Sequence, residues 1–529
     1  MPPPEAEHSF YEDIPMQHAD RSALLGTTDM RRLVPKVSVP IMISMLVQAL
    51  YNIVDSIFIS HSQPNGLFGL NAVSLAMPFQ MLMIALSTGM GTGINSLISR
   101  RLGERLPENA RRASWNGLLI EAAGSLLFVL VGLFLAGPLM NMVTGSIEDH
   151  RDLIREMGTQ YLSIVTMCST GLFIAIFFER MLQSTGNTLA SMVTQLCGAL
   201  TNIILDPILI FGWLGFEPMG VTGAAVATVI GQWVSAVIGF ILNQIKNEEL
   251  RLRLADFKVS RRDMRDIFAV GLPSTIMASI GSVMNVTMNA ILAAFAFPDD
   301  LASVNVMAVY FKLQSFVFMP VFGLANGIIA IIGYNYGARL KKRVYQCIRV
   351  ALAWAGMIML VGTLVFMFLP NQLMSIFESD TTQTVQADET AIAEGTAVTE
   401  EKETAEGETL TAEEREEQRK QRENQALVSR RMTEIGVVAM RIIAINFIFA
   451  AVGITLSTVF QAVGKGTYSM ILSICRQLAI LLPAAWVLAR LAGVYAVWWC
   501  FPIAEIASLF ICLYFYRKCN RKYLAPLPD

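Results

Sequence analysis

Residues 69–98 read GLNAVSLAMPFQMLMIALSTGMGTGINSLI, a stretch of thirty residues without a charged side chain. An α-helix needs about 20 apolar residues to cross the hydrocarbon core of a bilayer, so this stretch is long enough. The next stretch, SRRLGERLPENARRA at 99–113, carries five arginines. An apolar run that ends in basic residues is typical of a transmembrane helix whose last turn faces the cytoplasm.

The same pattern recurs along the 529 residues. Hydrophobic residues make up 54% of the chain and charged residues 16%, against about 25% charged residues in a soluble domain. This composition excludes a soluble enzyme, a secreted disulfide-bonded scaffold and a nucleic-acid-binding protein. We predict an all-α polytopic membrane protein with twelve transmembrane helices, at 37–60, 69–98, 115–140, 160–183, 190–213, 221–243, 268–296, 303–335, 346–369, 437–462, 468–490 and 493–516.

The net charge of −2 hides one acidic segment in a mildly basic body. Residues 378–425 hold 15 acidic and 5 basic residues. A segment of this composition does not bury enough apolar surface to fold, so we predict an acidic, disordered insert. A weak Ca²⁺ site in it is an alternative, but the insert lacks EF-hand spacing.

Lysine and arginine in the short loops orient the chain. The loop at 99–113 has five basic residues, the loop at 244–266 has seven and the segment at 337–349 has five, whereas 61–68, 212–220 and 297–302 have none. We therefore expect both termini in the cytoplasm and the insert outside. The N-terminus does not read as a signal peptide, and a prokaryotic cytoplasmic (inner) membrane is the expected location.

The two halves of the sequence resemble each other. Pro40 and Asn52 match Pro273 and Asn285 at an offset of 233 residues. Four further matches occur at an offset of 234, namely Gly89, Gly93, Gly103 and Arg105 with Gly323, Gly327, Gly337 and Arg339. At an offset of 278 the segment QSTG at 183–186 corresponds to QAVG at 461–464, with its first and last residues identical. The offset grows by about the length of the acidic insert.

Each half has six helices, an even number, so the halves enter the membrane in the same direction as a parallel repeat. We predict two six-helix lobes. The predicted domains are a cytoplasmic tail at 1–36, an N-lobe at 37–243, a cytoplasmic linker at 244–267, a C-lobe at 268–516 that contains the insert 378–425, and a cytoplasmic tail at 517–529.

Charged residues inside membrane helices are costly and are commonly functional. Asp55 and Asp206 both fall about 9 Å below the predicted outer boundary, with Thr228 at a similar depth and Asn202 one turn from Asp206. Pro207 frees a backbone carbonyl there. These oxygen ligands suit a proton or Na⁺, so we predict a cation-binding site at Asp55, Asn202, Asp206 and Thr228. The alternative is that each aspartate is a polar link between helices.

Other polar residues in the predicted helices are candidates for lining a substrate cavity, and for each of them a packing role is the alternative. They are Gln48, Asn52 and Tyr161 in the N-lobe, and Asn285, Lys312 and Glu505 in the C-lobe. Arg476 is expected to extend towards the cytoplasmic surface. Glu121 and Glu179 are expected close enough to the cytoplasmic ends of their helices to be solvated.

No catalytic motif is present in the sequence. GMGTG at 89–93 lies inside an apolar helix rather than between a strand and a helix, so it does not read as a nucleotide-binding loop. Without a Walker lysine, an ion gradient is the remaining energy source. We therefore expect a secondary transporter and not an enzyme, with no cofactor.

Five segments together resemble the multidrug and toxic compound extrusion (MATE) transporters, of the multidrug, oligosaccharidyl-lipid and polysaccharide exporter superfamily. They are Pro40-x₇-Gln48-x₂-YNIVD ending at 55, the glycine-rich second span leading to RRLGE, RMLQSTGNT at 180–188, TNIILDP at 201–207 and GVTGAAVAT at 220–228. The resemblance covers residues 30–375 and 430–518. It implies two lobes forming a V, and export of drugs coupled to inward flow of H⁺ or Na⁺.

The resemblance also bears on the site. Members with an N-lobe cation site would have it at Asp55, Asn202, Asp206 and Thr228, with Gln48 and Tyr161 nearby. Relatives that use C-lobe carboxylates carry them in spans seven and ten, which have none here. The resemblance therefore favours the N-lobe.

The sequence favours a cation-coupled efflux antiporter for organic, often cationic, compounds that works by alternating access as a monomer in the bilayer. A flippase for a lipid-linked sugar or an anionic lipid is the first alternative. It should line its cavity with several basic residues, and only Lys312 and Arg476 lie deep in predicted helices. A non-transporting membrane adaptor that binds a partner through its acidic insert is the second alternative.

Overall fold

The computed structural model describes residues 22–60, 66–145, 150–295, 302–375 and 412–528. All regular secondary structure in these ranges is helical, and none of these residues lies in a strand.

Within the described ranges, ten helices are long and apolar enough to cross a membrane, and two bent pairs of helices bring the number to twelve when each pair is taken as one span. They are α1 (Met30–Ser60), α2 (Gly66–Gly103), α3 (Pro107–Phe134), α4 (Arg151–Met167 and Thr170–Ser184), α5 (Thr188–Phe211), α6 (Gly220–Lys246), α7 (Arg261–Ala294), α8 (Ala302–Gly337), α9 (Lys341–Phe368), α10 (Ala412–Ala444 and Phe447–Ala462), α11 (Gly466–Ala492) and α12 (Val494–Leu524). This confirms the twelve predicted spans.

The helices form two lobes. Helices α1 to α6 pack on one another in the N-lobe, with α5 and α6 in the most extensive contact, while α8, α9, α10 and α12 form the core of the C-lobe. The lobes meet where α7 packs along α2 and where α8 packs along α1 and α2.

Glycines at this contact reproduce the sequence repeat. Gly89 of α2 packs against Thr275 of α7, and Gly323 of α8 packs against Met42 of α1. Two further pairs of contacts are related in the same way: Gly93 with Gly271 and Gly327 with Ser38, then Gly103 with Tyr334 and Gly337 with Arg100. Partners on both sides differ by 233 or 234 residues, so a pseudo-twofold axis along the membrane normal relates the lobes.

The backbone repeats as well. Arg105 and Arg339, which follow α2 and α8, both have φ of 58°. Gly186 and Gly464, which follow α4 and α10, have φ of 76° and 78°. A left-handed conformation at a helix end is a common way to terminate a helix, and glycine adopts it without strain. The two halves therefore share local geometry, not sequence alone.

All six glycine contacts between the lobes lie in the same half of the membrane. This is the side of the basic loops 99–113, 244–266 and 337–349, which we call the basic side; the opposite side is the far side. Ion pairs strengthen the contact there, because Asp263 at the start of α7 lies 2.8 Å from Arg112 of α3 and 3.5 Å from Arg101 of α2. The lobes are thus joined at the basic side.

Several helices extend beyond the predicted boundaries. Residues 30–36 belong to α1, 261–267 to α7 and 517–524 to α12, so much of the predicted tails and linker is helical. The sequence limits were set by apolar runs, but a helix keeps its backbone hydrogen bonds in water and headgroups too. Residues 1–21 lie outside the described residues.

The prediction of a disordered insert at 378–425 is wrong for its last part, because α10 begins at Ala412. Residues 412–425 read AEEREEQRKQRENQ, and alanine, glutamate, glutamine, arginine and lysine are strong helix formers. These residues extend a membrane helix that supplies the costly first turn. The rest of the insert, 378–411, lies outside the described residues.

Candidate functional site

The two intramembrane aspartates of the N-lobe lie at the same depth and close together. Asp55 precedes the last residue of α1, Ser60, by five positions, and Asp206 precedes the last residue of α5, Phe211, by five. At about 1.5 Å per residue, both lie roughly 7.5 Å from the far-side ends of their helices. Asp206 is fully buried and interacts electrostatically with Asp55.

Three oxygens of this group lack a hydrogen-bond donor. Asn202 Nδ2 donates to Asp206 Oδ1 at 3.1 Å, one helical turn apart on α5. Asp55 Oδ1, Asn202 Oδ1 and Asp206 Oδ2 are buried and accept no hydrogen bond from any described residue. Buried acceptors without a donor are unfavourable, so these oxygens are free to accept from a proton, a cation or an ordered water.

Thr228 of α6 lies at the level of this group. Helices α5 and α6 run antiparallel with glycines at their contact: Gly223 packs against Leu209, and Gly231 packs against Asn202. Thr228 lies between these two contacts on α6, and Asp206 lies between them on α5. Thr228 is buried, so its hydroxyl is available inside the lobe rather than to lipid.

Two tyrosines adjoin the aspartates. The buried Tyr161 of α4 donates from its hydroxyl to Gln80 Oε1 at 3.2 Å and interacts electrostatically with both Asp55 and Asp206. Tyr51, one turn before Asp55 on α1, interacts with both aspartates too. Tyr51 was not among the predicted site residues, although its position four residues before Asp55 indicates that both side chains lie on the same face of α1.

Among the remaining predicted cavity residues, those with described side chains make no recorded hydrogen bond or ion pair with this group. Gln48 is exposed, and the side chain of Asn52 lies outside the described residues. In the C-lobe, Asn285 Oδ1 accepts from Asn289 Nδ2 at 3.2 Å, and Lys312 is exposed. They are distributed over both lobes rather than gathered at one point.

Glu505 is part of an ion pair. Its Oε1 lies 3.0 Å from Nη1 of Arg476, which lies in a π-helical segment of α11 at Cys475–Leu481. Arg476 therefore does not extend freely to the surface as predicted, because a carboxylate inside the lobe offers a charge-assisted hydrogen bond. Glu505 and Arg476 therefore neutralise each other, whereas no basic partner is found for Asp55 or Asp206 among the described residues.

Glu121 and Glu179 are not solvated as predicted, since both are buried. Helix α3 spans Pro107–Phe134, which places Glu121 at its centre rather than near its end. The apolar run that predicts this span does not include the polar first turns of the helix, which begin at Pro107.

The Asp55–Asp206 group suits a small, weakly held cation better than a transition metal. Across the described ranges, no three His, Cys, Asp or Glu side chains come together as metal ligands. The group offers two carboxylates, one amide oxygen and one hydroxyl, which are the hard oxygen ligands that bind a proton or an alkali cation rather than zinc or iron.

Comparison with known proteins gives a consistent result. The MatE family profile matches residues 40–208 and 269–393, more than half of the chain. The chain is 24% identical over 471 residues to the multidrug export protein MepA of Staphylococcus aureus, covering 88% of this chain and 89% of that one. It is 27% identical over 357 residues to the "Probable multidrug resistance protein NorM" of Thermotoga maritima, covering 66% of this chain and 73% of that one.

The fold also matches a solved structure. The structure of an outward-facing conformation of a multidrug resistance MATE family transporter superposes with a TM-score of 0.78 at 23% sequence identity. The superposition covers 97% of this chain and 99% of that one. The arrangement of helices in the two lobes is therefore the same.

Proposed function

Since this chain belongs to the MatE family of membrane transporters, we propose that it is a cation-coupled multidrug efflux antiporter. Two relatives are named for multidrug export or multidrug resistance, which supports organic compounds as the exported substrates. The coupling cation, H⁺ or Na⁺, binds at Asp55, Asn202, Asp206 and Thr228.

The observation that carries this proposal is the set of three buried oxygens, on Asp55, Asn202 and Asp206, that find no donor among the described residues. Two carboxylates this close repel each other, and the low dielectric of the membrane interior strengthens that repulsion. A proton or Na⁺ removes the repulsion and supplies the missing partner. Within the described part of the C-lobe, the intramembrane carboxylate Glu505 is already paired with Arg476.

Coupling follows if the cation binds the two conformations of the transporter with different affinities. In the conformation described here the lobes are joined at the basic side, which leaves the far side as the route to the cavity. Cation binding favours one conformation, and export of the substrate returns the other. The cavity residues Gln48, Asn52, Tyr161, Asn285, Lys312 and Glu505 stay candidates for substrate contacts.

The basic loops support a cytoplasmic location for the basic side and for both chain termini. We place the protein in a prokaryotic cytoplasmic (inner) membrane, because both named relatives are bacterial. We expect it to act as a monomer, since each chain contains both lobes and a complete candidate cation site.

Reconstituted protein tests this function. Efflux of ethidium from proteoliposomes should follow an imposed pH or Na⁺ gradient, and the effective gradient identifies the coupling ion. Asp55→Asn keeps the size of the side chain but removes its charge, so it should abolish gradient-driven efflux. Normal gradient-driven efflux by Asp55→Asn would contradict the proposal. Absence of efflux for several organic cations would favour the lipid flippase, with headgroup translocation as the next assay.

A second prediction separates transport from an adaptor role of the acidic insert. Replacing residues 380–408 by a short Gly/Ser linker preserves α10, which starts at Ala412. The proposed cation site lies in the other lobe, so ethidium efflux should stay within about twofold of wild type. A complete loss of efflux by a folded variant would indicate that the insert is essential.

A further inference from the structure

A second group of charged side chains is buried in the N-lobe, nearer the basic side than Asp55 and Asp206. Its central member, Glu121, is 1% exposed. It follows Pro107 by 14 residues and precedes Phe134 by 13, so at about 1.5 Å per residue it lies roughly 20 Å from each end of α3. An isolated charge at such a depth is very costly in a bilayer.

Hydrogen bonds connect this residue and its neighbours only in part. Ser87 Oγ of α2 donates to Glu121 Oε2 at 3.0 Å, while Glu121 Oε1 is buried and accepts from no described residue. On α4, Arg180 Nη1 donates to Gln183 Oε1 at 2.8 Å, and Gln183 Nε2 donates to Glu179 Oε1 at 2.8 Å. We call Ser87, Glu121, Glu179, Arg180 and Gln183 the Glu121 cluster.

The charges of the Glu121 cluster do not balance. Arg180 interacts electrostatically with Glu121, and its Nη1 lies 3.8 Å from Glu179 Oε1. One guanidinium thus serves two carboxylates, and all three side chains are buried. With every group ionised the cluster carries a charge of −1, which a membrane interior strongly disfavours.

Other elements do not supply the missing positive charge. Among the described residues, Arg180 is the charged group that interacts electrostatically with Glu121. The other charged residues of the helices and loops packed on α3 and α4 are Arg100, Arg101, Glu108, Arg111, Arg112, Arg151, Asp152, Arg155, Glu156, Asp206, Lys246, Glu248, Glu249, Arg251, Arg253, Asp256, Lys258, Arg261, Arg262, Asp263, Arg265, Asp266 and Lys312. The nearest in sequence to Glu121, Arg112, is nine residues away and is paired with Asp263.

The number of buried oxygens without a donor in the Glu121 cluster favours a proton over a metal ion. A metal ion needs several oxygen ligands. Among the described residues of the cluster, Glu121 Oε1 is the one carboxylate oxygen that is buried and has no donor. A proton needs a single oxygen. We propose that the Glu121 cluster binds one proton, separately from the cation held at Asp55 and Asp206.

The Glu121 cluster extends the proposed function, because the N-lobe then has carboxyl groups at three levels between the far side and the basic side. Asp206 lies near the far-side end of α5, Glu121 at the centre of α3, and Glu179 five residues before Ser184 at the basic-side end of α4. A proton released from the Asp55–Asp206 group towards the cytoplasm would meet the Glu121 cluster next. The proton-binding claim stands without transport; only its place on the route rests on the proposed function.

Infrared difference spectroscopy on the purified full-length protein tests the proton directly. The wild type should show the C=O stretch of a protonated carboxyl that disappears in Glu121→Gln but remains in the double variant Asp55→Asn/Asp206→Asn. Glu217→Gln, at an exposed position of the same lobe, is the matched control and should leave the band unchanged. An undiminished band in Glu121→Gln would overturn the proposal.

Ser87→Ala keeps the proposal testable if Glu121→Gln does not fold. Loss of the hydroxyl that donates to Glu121 Oε2 should shift the frequency of the same band, and an unshifted band would overturn the proposal. Transport gives a separate reading, in which Glu121→Gln should slow pH-driven ethidium efflux at least tenfold. If Asp55→Asn transports normally while Glu121→Gln loses the band, the proposed function fails and the proton site stands.

Discussion

Replacing Asp206 by Asn is expected to reduce gradient-driven efflux to the level of liposomes without protein. Asparagine keeps the shape of the side chain and its partner Asn202, but it no longer offers a second carboxylate to the cation. Without differential binding of the cation, the gradient has no means of shifting the conformational equilibrium. The measurement is ethidium efflux under an imposed pH or Na⁺ gradient.

The double variant Asp55→Asn/Asp206→Asn sharpens this prediction. If both aspartates hold one cation, each single variant already loses it, so the double variant should transport no worse than either single one. Asp152→Asn is the matched control, since the Asp152 side chain is 86% exposed in the same lobe, and it should transport normally. Substantial efflux by either single variant, with a further drop in the double, would mean that the aspartates act independently.

Adding one methyl group at the contact between the lobes should have the second largest effect, which is a change in the population of the conformation joined at the basic side. In Gly103→Ala the new Cβ would lie well inside van der Waals contact of the Tyr334 carbonyl oxygen, and in Gly337→Ala it would meet that of Arg100. Backbone cannot move aside as a side chain can, and overpacking costs about 1–3 kcal/mol. Each variant should therefore populate the conformation joined at the basic side about tenfold less, as measured by spin-label distances between α2 and α8.

Gly281→Ala is the matched control for this pair. Its new Cβ would meet no atom within 4 Å, and alanine is a better helix former than glycine by up to about 1 kcal/mol. This variant should unfold at the same or a higher temperature and keep the wild-type distances. Unchanged distances in both Gly103→Ala and Gly337→Ala would mean that the basic-side contact does not govern the equilibrium.

Much of the fold could be predicted from the sequence, because lipid leaves few choices to a polypeptide. A run such as 69–98 has to form a helix, and an even number of such runs per repeat fixes the relative direction of the halves. The matches Gly89–Gly323 and Gly103–Gly337 could be read directly from the sequence. The packing that requires these glycines could not be read from it, since a sequence does not show which neighbouring backbone a glycine contacts.

The candidate cation site was predicted in part. Depth along a helix is a one-dimensional quantity, so counting from the helix ends was enough to bring Asp55, Asp206 and Thr228 to one level. Contacts that depend on rotation about the helix axis were missed. Glu121 was expected in water and is buried between α2 and α4, and Arg476 was expected to reach the surface and pairs with Glu505. Both errors came from judging a charge by its distance to a helix end alone.

The pseudo-twofold contact has a consequence for the history of the chain. The surface formed by α1 and α2 binds the surface formed by α7 and α8, which is its own repeat, so half of the sequence encodes a patch that is complementary to itself. Two identical six-helix proteins would pair through such a patch as an isologous dimer. Joining them in one chain lifts the requirement that both copies stay alike. The two copies can then differ at a single position, as they do at Asp55 and at Met288, which lies 233 residues later.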